Sequence, residues 1–263
     1  MENDDVLVAE VRGRVGVVTF NRPSAANSLT PQLLGLLRRT LMAWRESGQV
    51  RAVVITGSGD RAFSAGYDVG SIPVPGSGDK VDDIHPMGDV LEVLKDFPYP
   101  TIAMIRGFCL GAGLNLALCC DIRIATDTAT LGMPPAKLGV VYDIAGIQQI
   151  LRVVGSPRAR EILLGGRRYR GPAAEQMGLV DHVFDIADIE TETFALAEEI
   201  AANAPLAVTG MKRILNLIDT SVQLSEDARA EAERLFLGSL SSEDAKEAKL
   251  AFREKRPPVF VGR

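Results

Sequence analysis

The chain has 263 residues, 46% of them hydrophobic and 24% charged, the composition of one large globular domain or a domain with an appendage. Its net charge of −5 carries no basic block, which excludes an ordinary nucleic-acid footprint. The acidic start Met-Glu-Asn-Asp-Asp is not a signal peptide, and the apolar run Gly107–Cys120 is too short to span a bilayer, so a cytoplasmic protein away from membranes is expected.

In chain order, Val6 to Phe20 reads as two strands about a turn at Gly13, the second buried on both faces. Thr30-Pro31 opens a helix that runs to Ser47 and stops at Gly48. Ala52 to Thr56 is a further buried strand. Ser71 to Gly88, rich in Pro, Gly and Asp, reads as a mobile loop of the kind that covers an active site. A short helix, Val90 to Phe97, leads to strands at Thr101–Ile105 and Ile122–Ala125. Helices then dominate: Ala145–Val153, Pro157–Leu164, Pro172–Met177, Ile189–Ala202, Pro205–Leu217, Glu226–Leu240 and Glu243–Glu254. Strands first and helices later imply an N-terminal α/β core with a helical C-terminal section, divided at about residue 200 (1–200 and 201–263). Cys109, Cys119 and Cys120 read as buried, reduced thiols. With only His85 and His182 as histidines, no spacing suggests a metal.

The most informative stretch runs from Gly107 to Ile122. A strand, Thr101–Ile105, leads into it and an apolar helix, Leu114–Cys120, leads out, with Gly111, Ala112 and Gly113 between them. Such a turn leaves backbone N–H groups free at a helix N-terminus, where the dipole adds positive potential. That suits an anion, or an oxygen that becomes anionic during a reaction. A second turn, Phe63-Ser-Ala-Gly-Tyr-Asp68, also follows a strand. Two such turns could hold one carbonyl oxygen between them, where losing one donor costs about 3–4 kcal/mol.

These residues belong to a wider pattern. Phe20-Asn-Arg-Pro, Val53-Val-Ile-Thr-Gly-Ser-Gly, Ala62-Phe-Ser-Ala-Gly-Tyr-Asp, Pro100-Thr-Ile-Ala-Met-Ile-Arg-Gly, the glycine turn, Asp121-Ile-Arg-Ile-Ala, Ala174-Glu-Gln-Met-Gly-Leu-Val-Asp and Ala251-Phe-Arg-Glu-Lys-Arg-Pro-Pro-Val-Phe together resemble the crotonase superfamily, also called the enoyl-CoA hydratase/isomerase family. The resemblance implies an α/β fold with a crotonase-like spiral ββα core, 1–200, and a helical C-terminal trimerisation section, 201–263. It implies an acyl-CoA substrate, no separate cofactor beyond the coenzyme A of that thioester, and trimers, often paired into hexamers. By position, the backbone N–H groups of Tyr67 and Ala112 would hold the thioester oxygen. Ser24 and Ala26 fall where the family touches the nucleotide of CoA, and Ala65, Gly66 and Asp68 beside the pantetheine and adenine. Phe252 and Lys255 match positions that reach the CoA of a neighbouring subunit, where a lysine would meet a phosphate as a point charge.

The departures matter as much. The two glutamates of the family's hydratases become Asn115 and Pro135, neither able to titrate near neutral pH. General acid–base groups contribute about 10²–10⁴-fold each, so the two-glutamate route to hydration is disfavoured. Tyr142 falls where methylmalonyl-CoA decarboxylases of the superfamily carry a carboxylate-orienting tyrosine, and Met133–Tyr142 resembles their segment. Against this, that relative has His where this chain has Tyr67. Asp143 falls where the chlorobenzoyl-CoA dehalogenase branch has its nucleophile, without that branch's aromatic pocket or histidine. Decarboxylation needs less acid–base equipment, since loss of CO₂ generates the enolate directly. Tyr142 is also readable as a core tyrosine, Asp143 as a helix N-cap and Asn115 as a bond to the turn. The expectation is an acyl-CoA lyase or isomerase working through an enolate, by decarboxylation of a malonyl-type CoA or another enolate reaction, with an enoyl-CoA hydratase/isomerase using other residues, or a non-catalytic acyl-CoA binder, as the alternatives. A serine protease on the related Clp-type fold lacks its triad.

Overall fold

A tight turn at Gly13, where φ is +60°, folds β1 (Leu7–Arg12) antiparallel onto β2 (Val15–Phe20). The computed structural model describes residues 6–68, 86–219, 226–259 and 261. Beyond the hairpin the first sheet is parallel: β2 pairs with β3 (Ala52–Gly57), β3 with β5 (Thr101–Ile105), β5 with β7 (Ile122–Thr126) and β7 with β10 (His182–Phe184). Every residue of β3 and β5 is buried, as their unbroken apolar runs predict for strands covered on both faces.

Alternation sorts these strands between two cores. Val53, Ile55, Ala103 and Ile105 join the main cluster with α1 (Pro31–Ser47) and α2 (Pro86–Lys95). Val54, Ile102, Met104 and Ile124 face the other way, onto Ile189, Ala197 and Ala201 of α6 (Ile189–Ala202). Helix α1 begins as its sequence predicts: the Thr30 hydroxyl accepts from the Leu33 N–H at 3.3 Å, Pro31 follows, and Gly48 closes the helix at φ +59°. Its stripe Leu33, Leu34, Leu37, Leu41 and Trp44 is buried.

The strands do not form one stack. A second sheet runs β4 (Ala62–Ser64), β6 (Phe108–Leu110), β8 (Thr130–Gly132) and β9 (Arg168–Arg170), with the first three parallel. These three-residue strands are too short for a period of two to show in sequence. Their presence corrects the path into the glycine turn: Thr101–Ile105 does not feed it directly. Gly107, at φ +60°, carries the chain across to β6, and a Cβ there would stand 2.1 Å from the Arg61 carbonyl oxygen, so only glycine makes this crossing. The turn then opens α3 (Ala112–Cys119), buried throughout from Gly113 onward.

The expected pair of helices after residue 144 is present as the two halves of α4 (Ile144–Gly165), separated by non-helical backbone at Gly155. Helix α5 (Gly171–Gln176) follows β9. The expected loop 71–88 lies outside the described residues up to 85; its last three residues already belong to α2. His85 also lies outside them, and His182 is exposed on β10. Cys109, Cys119 and Cys120 are buried free thiols, and burial pushes all three pKa values up, that of Cys119 to about 12. Among the described residues no helix is long and apolar enough to cross a membrane.

The C-terminal section comprises α7 (Pro205–Asp219), α8 (Glu226–Ser241) and α9 (Glu243–Glu254). A buried cation pins α7 to the sheet: Lys212 Nζ donates to Asp121 Oδ2 at 2.6 Å and to the Tyr99 carbonyl at 3.0 Å. Asp121 Oδ2 also accepts from the Thr101 N–H at 2.7 Å and hydroxyl at 2.9 Å. Removing the carboxylate strands a buried ammonium, whereas removing the ammonium leaves a half-buried carboxylate still bonded to Thr101. Asp121→Ala is therefore expected to cost about 3 kcal/mol and Lys212→Met distinctly less, read as the difference in chemical denaturation midpoints at neutral pH.

Candidate active site

Parallel pairing of β4, β6 and β8 delivers three chain reversals to one edge of the second sheet, the carboxyl ends of its strands. After β4 come Ala65, Gly66 and Tyr67; after β6, Gly111 and Ala112; after β8, Met133 and a 3₁₀ turn, Pro135–Leu138. The first two turns are in contact. A Cβ on Gly113 would stand 2.7 Å from the Ser64 Cβ and 2.8 Å from its carbonyl oxygen. A Cβ on Gly66, at φ +104°, would stand 2.9 Å from the Leu110 carbonyl oxygen and 3.5 Å from the Ala112 nitrogen. The small residues of both motifs are what this approach requires.

Hydrogen-bond register then fixes which groups remain. Tyr67 forms a parallel bridge with Leu29 in which the Leu29 N–H donates to the Gly66 carbonyl at 2.8 Å and the Asp68 N–H donates to the Leu29 carbonyl at 2.9 Å. A bridge made by the flanking peptides turns the N–H of Tyr67 itself to the opposite side. Ala112 is the first residue of α3, where an amide has no helical acceptor. Among the described residues neither the Tyr67 nor the Ala112 N–H has a partner. The Ser64 hydroxyl accepts from the Gly66 N–H at 3.2 Å and braces the first turn.

Around this pair stand Asn115, Tyr142 and Asp143. Asn115 is 4% exposed, and among the described residues its buried Oδ1 has no partner. Its Nδ2 faces Gly146 of α4, where a Cβ would stand 3.2 Å away. The Tyr142 hydroxyl overhangs the glycine turn, 3.4 Å from where a Gly111 Cβ would lie. Burial, and secondarily the Asp143 carboxylate, hold its phenol pKa above the ordinary value. Tyr142 packs against the main core, as its core reading expects. Asp143 is the N-cap of α4, its Oδ1 accepting from the Gly146 N–H at 2.7 Å. Pro135 is buried at the head of the 3₁₀ turn.

The other sequence-predicted residues fall into two groups. Ala65 and Gly66 are within the first turn, and Ser24 and Ala26 beside it, the Ala26 carbonyl accepting from the Ala65 N–H at 2.9 Å. Asp68 pairs with Arg22 at 3.2 Å and accepts from the Ser28 hydroxyl at 3.3 Å. Phe252 and Lys255 lie apart, at the end of α9: Phe252 is 65% exposed and Lys255 closes the helix at φ +55°. The opposite end of α9 does meet the site segment, since a Cβ on Gly139 would stand 2.8 Å from Asp244. Sequence reasoning did not single out Ser64, Gly113 or Gly146 as contact points, nor Asn27, a buried residue at φ +53°. An Asn among turn-forming residues is the available signal for that last position. An open groove between the ends of α1 and α2 and helix α7 lies away from these turns and holds the Arg213–Asp96 pair, 3.7 Å apart. Among the described residues no group of three His, Cys, Asp or Glu could hold a metal.

The model of the family described as Enoyl-CoA hydratase/isomerase matches residues 10–263. The short-chain-enoyl-CoA hydratase of Clostridium acetobutylicum is 32% identical over 263 residues, 97% of each chain. Among solved structures, a methylmalonyl-CoA decarboxylase in complex with 2-nitronate-propionyl-CoA superposes with a TM-score of 0.91 at 27% identity, covering 98% of this chain and 99% of that one. An enoyl-CoA hydratase/carnithine racemase from Magnetospirillum magneticum gives 0.78 at 32% identity, over 99% and 97%.

Because Ser64 and Gly113 touch, Gly113→Ala is expected to wedge the two turns apart. It should cost about 1–3 kcal/mol of stability in thermal or chemical unfolding, the penalty of overpacking. Its kcat on any accepted substrate should fall roughly 10²-fold, since a displacement of about 1 Å suffices for that.

Proposed function

The chain belongs to the enoyl-CoA hydratase/isomerase family, and from that premise we propose that it decarboxylates a malonyl-type acyl-CoA through a thioester enolate. The observation that carries this reading is the polarity of the unspent groups at the turns. The Tyr67 and Ala112 N–H groups, the Tyr142 hydroxyl and the Asn115 Nδ2 can all donate and none has a partner among the described residues, while Asn115 Oδ1 is an unspent acceptor beside them. The one carboxylate beside them, Asp143, is committed to capping α4. A site richer in free donors than in free acceptors suits a ligand with two acceptor groups, a thioester oxygen and a carboxylate.

The steps follow from these positions. The two amides take the thioester oxygen. Tyr142, above Gly111, holds the substrate carboxylate out of the thioester plane, so the C–C bond that breaks aligns with the carbonyl π system. That bond's electron pair becomes the enolate as CO₂ leaves, and charge accumulates on the oxygen that the amides already face. Fixed donors at a helix N-terminus stabilise it without reorganisation, a contribution of about 3–4 kcal/mol per donor. A proton from water then completes the saturated acyl-CoA. Ordinary hydration, by contrast, asks for carboxylates at positions where Asn115 and Pro135 stand. The superposition with a methylmalonyl-CoA decarboxylase supports this reading; the hydratase name of the Clostridium relative supports the same acyl-CoA class with different chemistry. We further propose that the protein works as a trimer or a pair of trimers, with the outward residues Met211, Ile214, Leu215 and Ile218 of α7 covered by other copies; each is more than half exposed in the single chain.

Methylmalonyl-CoA or ethylmalonyl-CoA is expected to lose CO₂ at a rate far above that of crotonyl-CoA hydration, followed by released CO₂ and by loss of the enoyl absorbance. Tyr142→Phe should lower decarboxylation roughly 10²-fold or more. Rapid crotonyl-CoA hydration insensitive to Asn115→Ala would overturn the reading, as would tight acyl-CoA binding without turnover of any malonyl thioester. Because its phenol pKa is raised, Tyr142 stays protonated, and the rate should show no inflection from this residue below about pH 10. The unfolded chain loses that phenol proton near its ordinary value while the folded chain keeps it, so stability should decline as pH rises above about 10, read by denaturation at successive pH values.

A further inference from the structure

Asn27 is 1% exposed and stands at φ +53°, and its carboxamide is fully used. Its Oδ1 accepts from the Arg22 N–H at 2.9 Å and from the Ser58 hydroxyl at 3.4 Å. Its Nδ2 donates to the Ser58 carbonyl at 3.1 Å and to the Ala62 carbonyl at 2.7 Å. Gly57 leaves room for it, since a Cβ there would stand 2.6 Å from Nδ2. One side chain therefore ties the turn after β2 to the turn after β3 and to the first residue of β4.

The segment that Asn27 anchors is the one against which the first turn is laid. Ala26, its neighbour, accepts from Ala65, and Leu29 makes the two bonds that bracket Tyr67. Arg22, Ser28 and Asp68 close the far side, with Arg22 Nη1 donating to the Ser28 carbonyl at 2.7 Å. The direction of the Tyr67 N–H follows from where residues 26–29 run, and the four side-chain bonds of Asn27, beside the bonds that Arg22 makes to Ser28, hold them there. An isolated strand bridge of one residue has no ladder on either side to hold its register. The side chain of Asn27 takes the place of that ladder.

We propose that Asn27 is a positioning residue for the Tyr67 N–H, aiming this donor at the thioester oxygen. The proposal rests on the reading of the Tyr67 and Ala112 amides as joint donors to one oxygen. A merely structural asparagine would lower stability and leave polarisation of a bound carbonyl untouched.

The test is the infrared carbonyl band of ¹³C-labelled butyryl-CoA, an unreactive thioester, bound to the full-length protein. In the wild type the band should move to lower frequency than in free butyryl-CoA. Asn27→Gly keeps the left-handed backbone accessible and removes only the side chain; its band should return most of the way to the free position. Its decarboxylation kcat should fall roughly 10²-fold. Asn27→Asp supplies a second reading should the glycine variant fail to fold. Only the protonated acid can donate to the Ala62 carbonyl, so both the band shift and kcat should recover as pH falls, which the wild type would not show. A glycine variant with the wild-type band, or an aspartate variant indifferent to pH, would overturn the role of Asn27. An unshifted band in the wild type would instead overturn the joint-donor reading itself, and the proposal with it.

Discussion

The contact between Ser64 and Gly113 is the constraint on which the rest of the site depends. Strands β4 and β6 lie side by side and parallel, so their following turns leave the sheet at the same edge. They can approach as they do only because position 113 has no side chain and position 66 takes a φ of +104°. From that approach follow the proximity of the two unpaired amides, the start of α3 at Ala112 and the burial of α3 against the main core. Larger residues at either position would leave both sheets able to form while separating the donors.

Much of this was legible in the residues themselves. Thr30-Pro31 and Gly48 bound α1 where they were expected to, and the unbroken apolar runs of β2, β3 and β5 marked strands covered on both faces. The two glycine-bearing turns were visible because backbone donors need small neighbours. The existence of a second sheet was not visible. Its strands are three residues long, and what defines them is pairing with segments distant in sequence, such as Thr130 with Arg170. Which side of Tyr67 carries its amide was equally hidden, since it depends on the bridge to Leu29. Asp143 shows why a single role is often the wrong question for a residue at such a site. The carboxylate caps α4 through Oδ1 and also helps to hold the phenol of Tyr142 protonated.

Asn115 gives the site its chemical character. A titrating residue here would add a charge whose value changes with pH beside the helix N-terminus. The amide adds none, and its buried Oδ1 leaves Nδ2 as the group facing Gly146 and the site. Burial, and secondarily Asp143, hold the phenol of Tyr142 protonated across the neutral range.

The meeting of Gly139 with Asp244 ties the site segment to a helix that lies roughly a hundred residues further along the chain. Both sheets are complete by Phe184, so their strands are all present on a growing chain well before α9 has been made. The segment that carries Gly139 and Tyr142 therefore gains its contact with α9 only after every strand of both sheets has been made.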